Sequence, residues 1–347
     1  MMPEKQKFEW PFWVKKLYFF EFWPAPVLYF PVIIYLFYLS LKAKSFTFYT
    51  LANPGIFLGG LKGESKIDML KKINPKYLPK AIYLFEPITI SEVLNKLNTA
   101  QMSYPIIVKP DIGERGKEVE KIDNEAALID YFKIQRGQVI CQDFIDYPIE
   151  LGVLFYQYPT SKKFGISSIV QKSFLQVTGD SFKTLHQLIL ESDRAHLQLP
   201  YLLNKYKSKL NEVLPFGVEL ILEPIGNHCR GTTFLSGQHL ITQKLTEIFK
   251  EISKDIPGFY IGRFDLKVKS LEDLAEGKNI MILELNGIAS EPAHIYHPKY
   301  SIILAYKALF NHAQLIYEIA IENNKRGLKF LSFKSFYTAL KSSSLSQ

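Results

Sequence analysis

The apolar positions of this chain fall into short strand-like runs, separated by turn residues and by a few longer helical stretches. Residues 264–268 and 280–285 are two such runs, and the Gly277-Lys278-Asn279 signal in the linker between them predicts a hairpin. On strands, residues two apart share a face, so Arg263 projects with Asp265 and Glu284 projects with Asn286. Residues 105–108 read as a short buried strand, followed by Lys109, a glycine-bearing loop over 111–117 and the helix-like IDNEAALIDYF. Residues 138–155 contain a further apolar strand. An amphipathic helix is expected over 240–252, with Leu245, Ile248, Phe249 and Ile252 on one side, and another over 302–321, packed on the sheet.

The N-terminus departs from this pattern. Residues 22–41, FWPAPVLYFPVIIYLFYLSL, carry no charge, with Lys15 and Lys16 before them and Lys42 and Lys44 after. A run of this length can cross a bilayer as a helix. Pro24, Pro26 and Pro31 argue against a simple span, because an interior proline removes a hydrogen bond. Trp10, Trp13 and Trp23 are of the type that settles at a membrane interface. Two readings stand side by side: an inserted or interfacial anchor, and a buried helix or dimer contact in a soluble enzyme. No small-residue cleavage site follows, which disfavours a cleaved signal.

The formal net charge of +8 favours acidic partners such as nucleotides, phosphorylated intermediates or an anionic membrane face. No concentrated basic stripe is present, so nucleic acid is not an expected partner. Cys141 and Cys229 form neither a metal motif nor a disulfide framework, and are compatible with a reducing cytoplasm.

Pairing the strands at 264–268 and 280–285 would gather two carboxylates, an amide oxygen and a guanidinium. Hard oxygen ligands without cysteine suit Mg²⁺, which completes its shell with water and nucleotide phosphates. Arginine beside them would stabilise charge on a transferring phosphoryl group. Glu284 is placed inside an apolar strand, where an unpaired charge is expensive, and this argues against a plain surface hairpin. In the loop after Lys109, the backbone at Gly113 and Gly116 can approach a phosphate closely, and Arg115 and Lys117 supply charge.

Arg263-x-Asp265 followed by Glu284-x-Asn286 and the loop NGIAS resembles the metal-binding end of the ATP-grasp ligases, the superfamily of D-alanine:D-alanine ligase, glutathione synthetase and cyanophycin synthetase. The stretch YPIIVKPDIGERGKEV is similar to the strand, lysine and phosphate loop of those enzymes. VTGD with the KTLHQLI that follows it, residues 177–189, resembles a segment of cyanophycin synthetase and of bifunctional glutathione synthetases, with Ser181 in place of a second glycine. Together these motifs cover roughly residues 60–320.

The resemblance implies an α+β, ATP-grasp fold in which two subdomains with mostly antiparallel sheets clamp ATP, preceded by a hydrophobic segment. The expected divisions are 1–50 for that segment, 51–140 and 141–325 for the subdomains, and 326–347 for a C-terminal tail, whose last residues, KSSSLSQ, read as polar and mobile. It assigns the first nucleotide lysine to Lys66, with Lys80 the alternative, and the second to Lys109 with Gly113, Arg115, Gly116 and Lys117. Gln142 and Ile145 take the adenine positions and Glu150 the ribose-binding acid. Gln142 stands where family members often have an acid. Asp265, Glu284 and Asn286 become the metal ligands, for two Mg²⁺ ions, with Mn²⁺ the alternative. Arg263 and Arg230 become the groups that stabilise an acyl phosphate, in a turn that also holds Asn227 and His228.

The implied activity is ADP-forming carbon–nitrogen ligation of a carboxylate to an amine, of an amino acid in the first instance. An ATP-grasp kinase, acyl transfer to a hydroxyl or thiol, and a non-catalytic nucleotide-binding membrane protein are the alternatives. The expected location is the cytoplasm, at the cytoplasmic face of a membrane if residues 1–45 bind a lipid or a membrane protein.

Overall fold

The structure, a computed structural model, describes residues 20–113, 116–134, 137–224, 226 and 231–345. Helix α1 (Ala25–Ala43) is the first long element. The prolines do not stop it. Pro24 is its N-cap and Pro26 lies in its first turn, where backbone N–H groups have no intrahelical partner to lose, and only Pro31 is interior. Short 3-10 turns then lead to α2 (Lys66–Leu70), capped by Ser65, which accepts from the Asp68 N–H.

The first sheet has the order β1-β4-β2-β3, all antiparallel, from β1 (Ala81–Leu84), β2 (Ile106–Pro110), β3 (Glu120–Ile122) and β4 (Val139–Asp143). Helices α3 (Ile90–Thr99) and α4 (Glu125–Ile134) bury Val93, Leu97, Leu128 and Tyr131 against Leu84, Val108 and Cys141 of this sheet. Because β4 pairs with both β1 and β2, the first subdomain runs through Asp143 and the expected boundary at 140 falls inside a strand.

The second sheet, order β11-β10-β5-β6-β9, is also antiparallel. It is made of β5 (Ile149–Gln157), β6 (Phe164–Ser173), β9 (Thr233–Ser236), β10 (Ile261–Val268) and β11 (Ile280–Asn286). A separate ribbon of β7 (Leu175–Thr178) and β8 (Glu219–Glu223) packs with α5 (Leu185–Glu191), α6 (Asp193–Leu197) and α7 (Leu199–Lys205). Thr184 caps α5 in a capping box with Gln187. In the turn before it Ser181 has φ +66°, a conformation that favours glycine, and its Oγ accepts from the Phe216 N–H at 2.7 Å.

The main core lies on one face of the second sheet. Phe264, Leu266 and Val268 of β10 join Leu151, Val153 and Phe155 of β5 and pack against Leu245, Phe249 and Ile252 of α8 (Gln243–Ser253). The linker between β10 and β11 holds a helix, α9 (Leu271–Glu276), and Gly277 at φ +72° is its C-cap, where the sequence predicted a hairpin turn. Helix α10 (Ile302–Lys325) runs beside α1. Leu28 and Val32 meet Ala305 and Leu309, while Leu39 and Ala43 meet Ala313, Ile316 and Ile319. The C-terminal tail forms α11 (Phe333–Leu345), which takes in the first residues of the KSSSLSQ end expected to be mobile, and its buried Phe336 meets Tyr49 edge-on.

Residues 51–61, expected in the first subdomain, are fastened to the second. Asn53 is fully buried and uses its whole amide: Nδ2 donates to Gly59 O (3.1 Å) and Ile261 O (2.7 Å), and Oδ1 accepts from the N–H groups of Tyr260 (2.8 Å) and Ile261 (2.9 Å). This satisfies three backbone groups at the start of β10 that would otherwise lack partners, while Gly59 O also accepts from the Ile288 N–H.

Candidate active site

Strand alternation leaves the face of β10 opposite α8 to Arg263 and Asp265. The register of β10 with β11 pairs Asp265 with Glu284 and Arg263 with Asn286, and a bulge follows Asp265. Arg263 donates to the Asp265 carboxylate from Nε at 3.2 Å and from Nη2 at 3.0 Å. Asn286 donates Nδ2 to Oδ2 of Asp265 at 2.9 Å.

A residue that sequence reasoning passed over completes this cluster. Lys172 of β6 places Nζ 3.0 Å from Asp265 Oδ1 and 2.9 Å from Glu150 Oε1. Burial works against its ammonium, but Asp265 and Glu150 outweigh that cost and hold its proton more tightly than usual. Burial likewise opposes the Asp265 carboxylate, and Arg263 and Lys172 outweigh it, so its pKa is lowered. Gly152 of β5 lies opposite Asp265. A Cβ there would stand 3.0 Å from Arg263 Cδ and 3.2 Å from Asp265 Oδ1, so glycine makes room for the pair.

The first subdomain supplies two more lysines. Lys109, buried at the end of β2, donates to Gln142 Oε1 at 3.0 Å and crosses to the second sheet to donate to Leu283 O at 2.9 Å. Burial lowers its pKa to about 8, helped by the nearby Lys66 ammonium, and the carboxylates Glu284 and Asp265 only partly compensate. Lys66 donates to Gly113 O at 2.6 Å and to Asp111 O at 3.3 Å, and its Nζ is 3.8 Å from Glu284 Oε1. Buried Asp111 supports it by accepting from Ser65 Oγ and the Ile67 N–H.

No protein-family model matches the chain, and comparison with curated proteins finds no match. Several solved structures resemble it. The D-alanine-D-alanine ligase from Coxiella burnetii has a TM-score of 0.44 and 11% identity over 76% of this chain and 58% of that one. The D-alanine--D-alanine ligase from Bacillus anthracis has a TM-score of 0.40 and 16% identity over 76% and 69%. The bifunctional glutathione synthetase from Pasteurella multocida has a TM-score of 0.38 and 12% identity over 71% and 36%. The chain thus spans just over half of the first of these proteins and about a third of the last.

Of the residues singled out in the sequence, Lys66, Lys109, Gln142, Glu150, Arg263, Asp265, Glu284 and Asn286 are linked by these contacts. Lys80 is not: it is exposed and donates to Gln101 O, so Lys66 is the lysine that reaches the site. Ile145 lies in the link between the sheets, where its carbonyl accepts from Lys267 Nζ at 3.0 Å. Lys117 is exposed and pairs with Glu118 at 3.5 Å, and Gly116 turns the loop at φ +69°. Arg115, Asn227, His228 and Arg230 lie outside the described residues. His294 and His297 hold the loop after β11 in place. His294 Nδ1 is 2.8 Å from Ser168 Oγ, and His297 Nδ1 accepts from the Ser236 N–H.

The donor set fits a hard divalent ion. Among the described residues there is no cluster of three or more His, Cys, Asp or Glu, as a dedicated protein cage would need. Glu284, one-third exposed, has Lys66 as its ion-pair partner at 3.8 Å, and Asn286, with Nδ2 given to Asp265, presents Oδ1. Few protein oxygens beside a place for phosphate is the pattern Mg²⁺ accepts.

Proposed function

We propose that the protein is an ATP-dependent carboxylate–amine ligase that forms an amide through an acyl phosphate. The observation that supports this best is convergence. Lys66 and Lys109 arrive from the first subdomain at the strand pair bearing Arg263, Asp265, Glu284 and Asn286, on the face turned away from the core.

In this reading Lys66, Lys109 and Lys172 hold the phosphates, with the backbone of the loop at Gly113 and Gly116. Gln142 and Ile145 lie along the adenine, and Glu150, which holds Lys172 through Oε1, has Oε2 for a ribose hydroxyl. Glu284, Asn286 and Asp265 would bind one or two Mg²⁺ ions, or Mn²⁺, whose contribution is to neutralise charge on the transferring phosphoryl group. A substrate carboxylate oxygen attacks the γ-phosphorus, the bond to the β-phosphate oxygen breaks and ADP leaves. The amine nitrogen then attacks the acyl carbon, phosphate departs and the nitrogen loses its proton to solvent. Positioning and charge neutralisation supply the acceleration, with Arg263 and Arg230 at the acyl phosphate. The ATP requirement places the reaction in the cytoplasm.

The test is ADP release by wild-type and Glu284→Gln protein with ATP, Mg²⁺ and a panel of carboxylic acids and amino acids. Turnover that requires an amine and is lost in the variant is the expected result. Turnover that proceeds without any amine would replace the ligase by a kinase or a transferase to a hydroxyl or thiol.

A further inference from the structure

Helix α1 has two apolar faces, and the fold covers one of them. The inner face is stitched to α10 by packing and by hydrogen bonds from Tyr35 Oη to Gln314 Oε1 (2.9 Å) and from Tyr306 Oη to Leu28 O (3.1 Å). On the outer face Val27, Phe30, Ile34, Phe37 and Leu41 follow one another at spacings of three and four residues, each 55–62% exposed. Phe46, just past the helix, extends the row, its ring centroid 5.9 Å from that of Phe37. A contiguous exposed apolar row is a feature that marks an interaction surface on a soluble chain.

We propose that this outer face lies in the interfacial layer of an anionic lipid bilayer, with α1 in the plane of the membrane. Charge decides the lipid. Residues 22–63 contain no Asp or Glu, while Lys42 and Lys44 follow the stripe. The Thr47 Oγ1 bond to Leu331 O brings the start of α11, with the 70% exposed Phe333 and with Lys334, beside the same end of the helix. The chemistry of the face favours lipid over protein. Among its exposed side chains between Val27 and Leu41 only Tyr38 can form a hydrogen bond, whereas protein interfaces carry about one per 100–200 Å².

Packing decides the orientation. The 19-residue helix is long and apolar enough to cross a membrane. A crossing would carry α10 with it, including Gln314 and Glu318, which hydrogen-bond each other at 2.7 Å, and charges are costly in hydrocarbon. Lying flat submerges only the outer stripe. The inner face meanwhile reaches the loop after β11, where Tyr29 Oη is 3.0 Å from Tyr296 Oη and Tyr296 donates to Glu291 at 3.1 Å.

This surface is independent of the ligase chemistry, and so is its test. The full chain is floated with vesicles of phosphatidylcholine alone or with added phosphatidylglycerol, beside the variant Phe30→Ser/Ile34→Ser/Phe37→Ser, with equal thermal melting of the two proteins as the folding control. Wild type should float with the anionic vesicles, more weakly at high salt, and come off in alkaline carbonate; the variant should lose at least tenfold in binding. Retention through carbonate extraction would replace the in-plane helix by a spanning one. Failure of wild type to float, with a lipid-free dimer that the variant converts to monomer, would assign the face to a second copy of the chain.

Discussion

Lys172 sets the charge balance of the site. It stands between two buried carboxylates, Glu150 and Asp265, and Arg263 alone cannot compensate both. Removing one partner of a buried ion pair typically costs roughly 3–5 kcal/mol, because the remaining charge stays desolvated. Lys172→Met should therefore lower the unfolding free energy from urea denaturation by an amount in that range, through a lower midpoint with little change in the slope; a change under about 1 kcal/mol would show that the carboxylates are hydrated. Lys109 imposes a pH dependence of the opposite kind. Its folded pKa of about 8 lies below the ordinary 10.5. Below pH 8 the ammonium is present in both folded and unfolded chains, and its burial cost is fully expressed. Between pH 8 and 10.5 the unfolded chain binds more protons, so this group makes stability rise with pH. Phosphate binding needs the ammonium, and ATP affinity measured by calorimetry should fall above about pH 8, by up to about tenfold per unit. Lys109→Arg, charged throughout, should flatten that profile if it folds with the same melting temperature.

Segments with little regular structure carry much of the connection between elements. Asn53 lies in a 3-10 region that packs on α10, and its amide closes the start of β10. Asn53→Ala would leave three backbone groups at the start of β10 unmatched, at about 1–3 kcal/mol for each that water cannot reach. A loss of about 3–5 kcal/mol by chemical denaturation is expected, together with faster amide exchange at Tyr260 and Ile261. Wild-type protection at those two amides in the variant would show that other groups hold the edge. Helix α9 acts differently: by occupying the link between β10 and β11 it allows Asp265 and Glu284, nineteen positions apart, to remain opposite each other.

At the level of the whole molecule, the two sheets meet at the site through Lys109, which donates within its own sheet to Gln142 and across to Leu283 O. A ligand that engages lysines from both subdomains binds the folded clamp and not the unfolded chain. ATP with Mg²⁺ should raise the melting temperature in a saturable way, equivalent to about 2.7 kcal/mol at a hundredfold excess over Kd. Lys66→Met should reduce that rise with little effect on the ligand-free protein, since among the described residues Lys66 Nζ bonds loop carbonyls and stands 3.8 Å from Glu284. An unchanged shift in the variant would remove Lys66 from the nucleotide site.

What could be read from local spacing was read correctly where the physics is local. A period of two places Arg263 beside Asp265 and Glu284 beside Asn286 on any strand. Lys172 carried the same signal as Glu284, a charge inside an apolar strand, yet its value depends on β6, β5 and β10 lying side by side, which no local pattern specifies. The choice of Lys66 over Lys80, the strand that ends the first subdomain and the task of Asn53 depend likewise on contacts between residues far apart in the chain. An uncharged stretch of twenty residues allowed an apolar helix at the N-terminus despite its three prolines, but a helix apolar all round has no preferred side. Packing on α10 buried one face and left the other exposed.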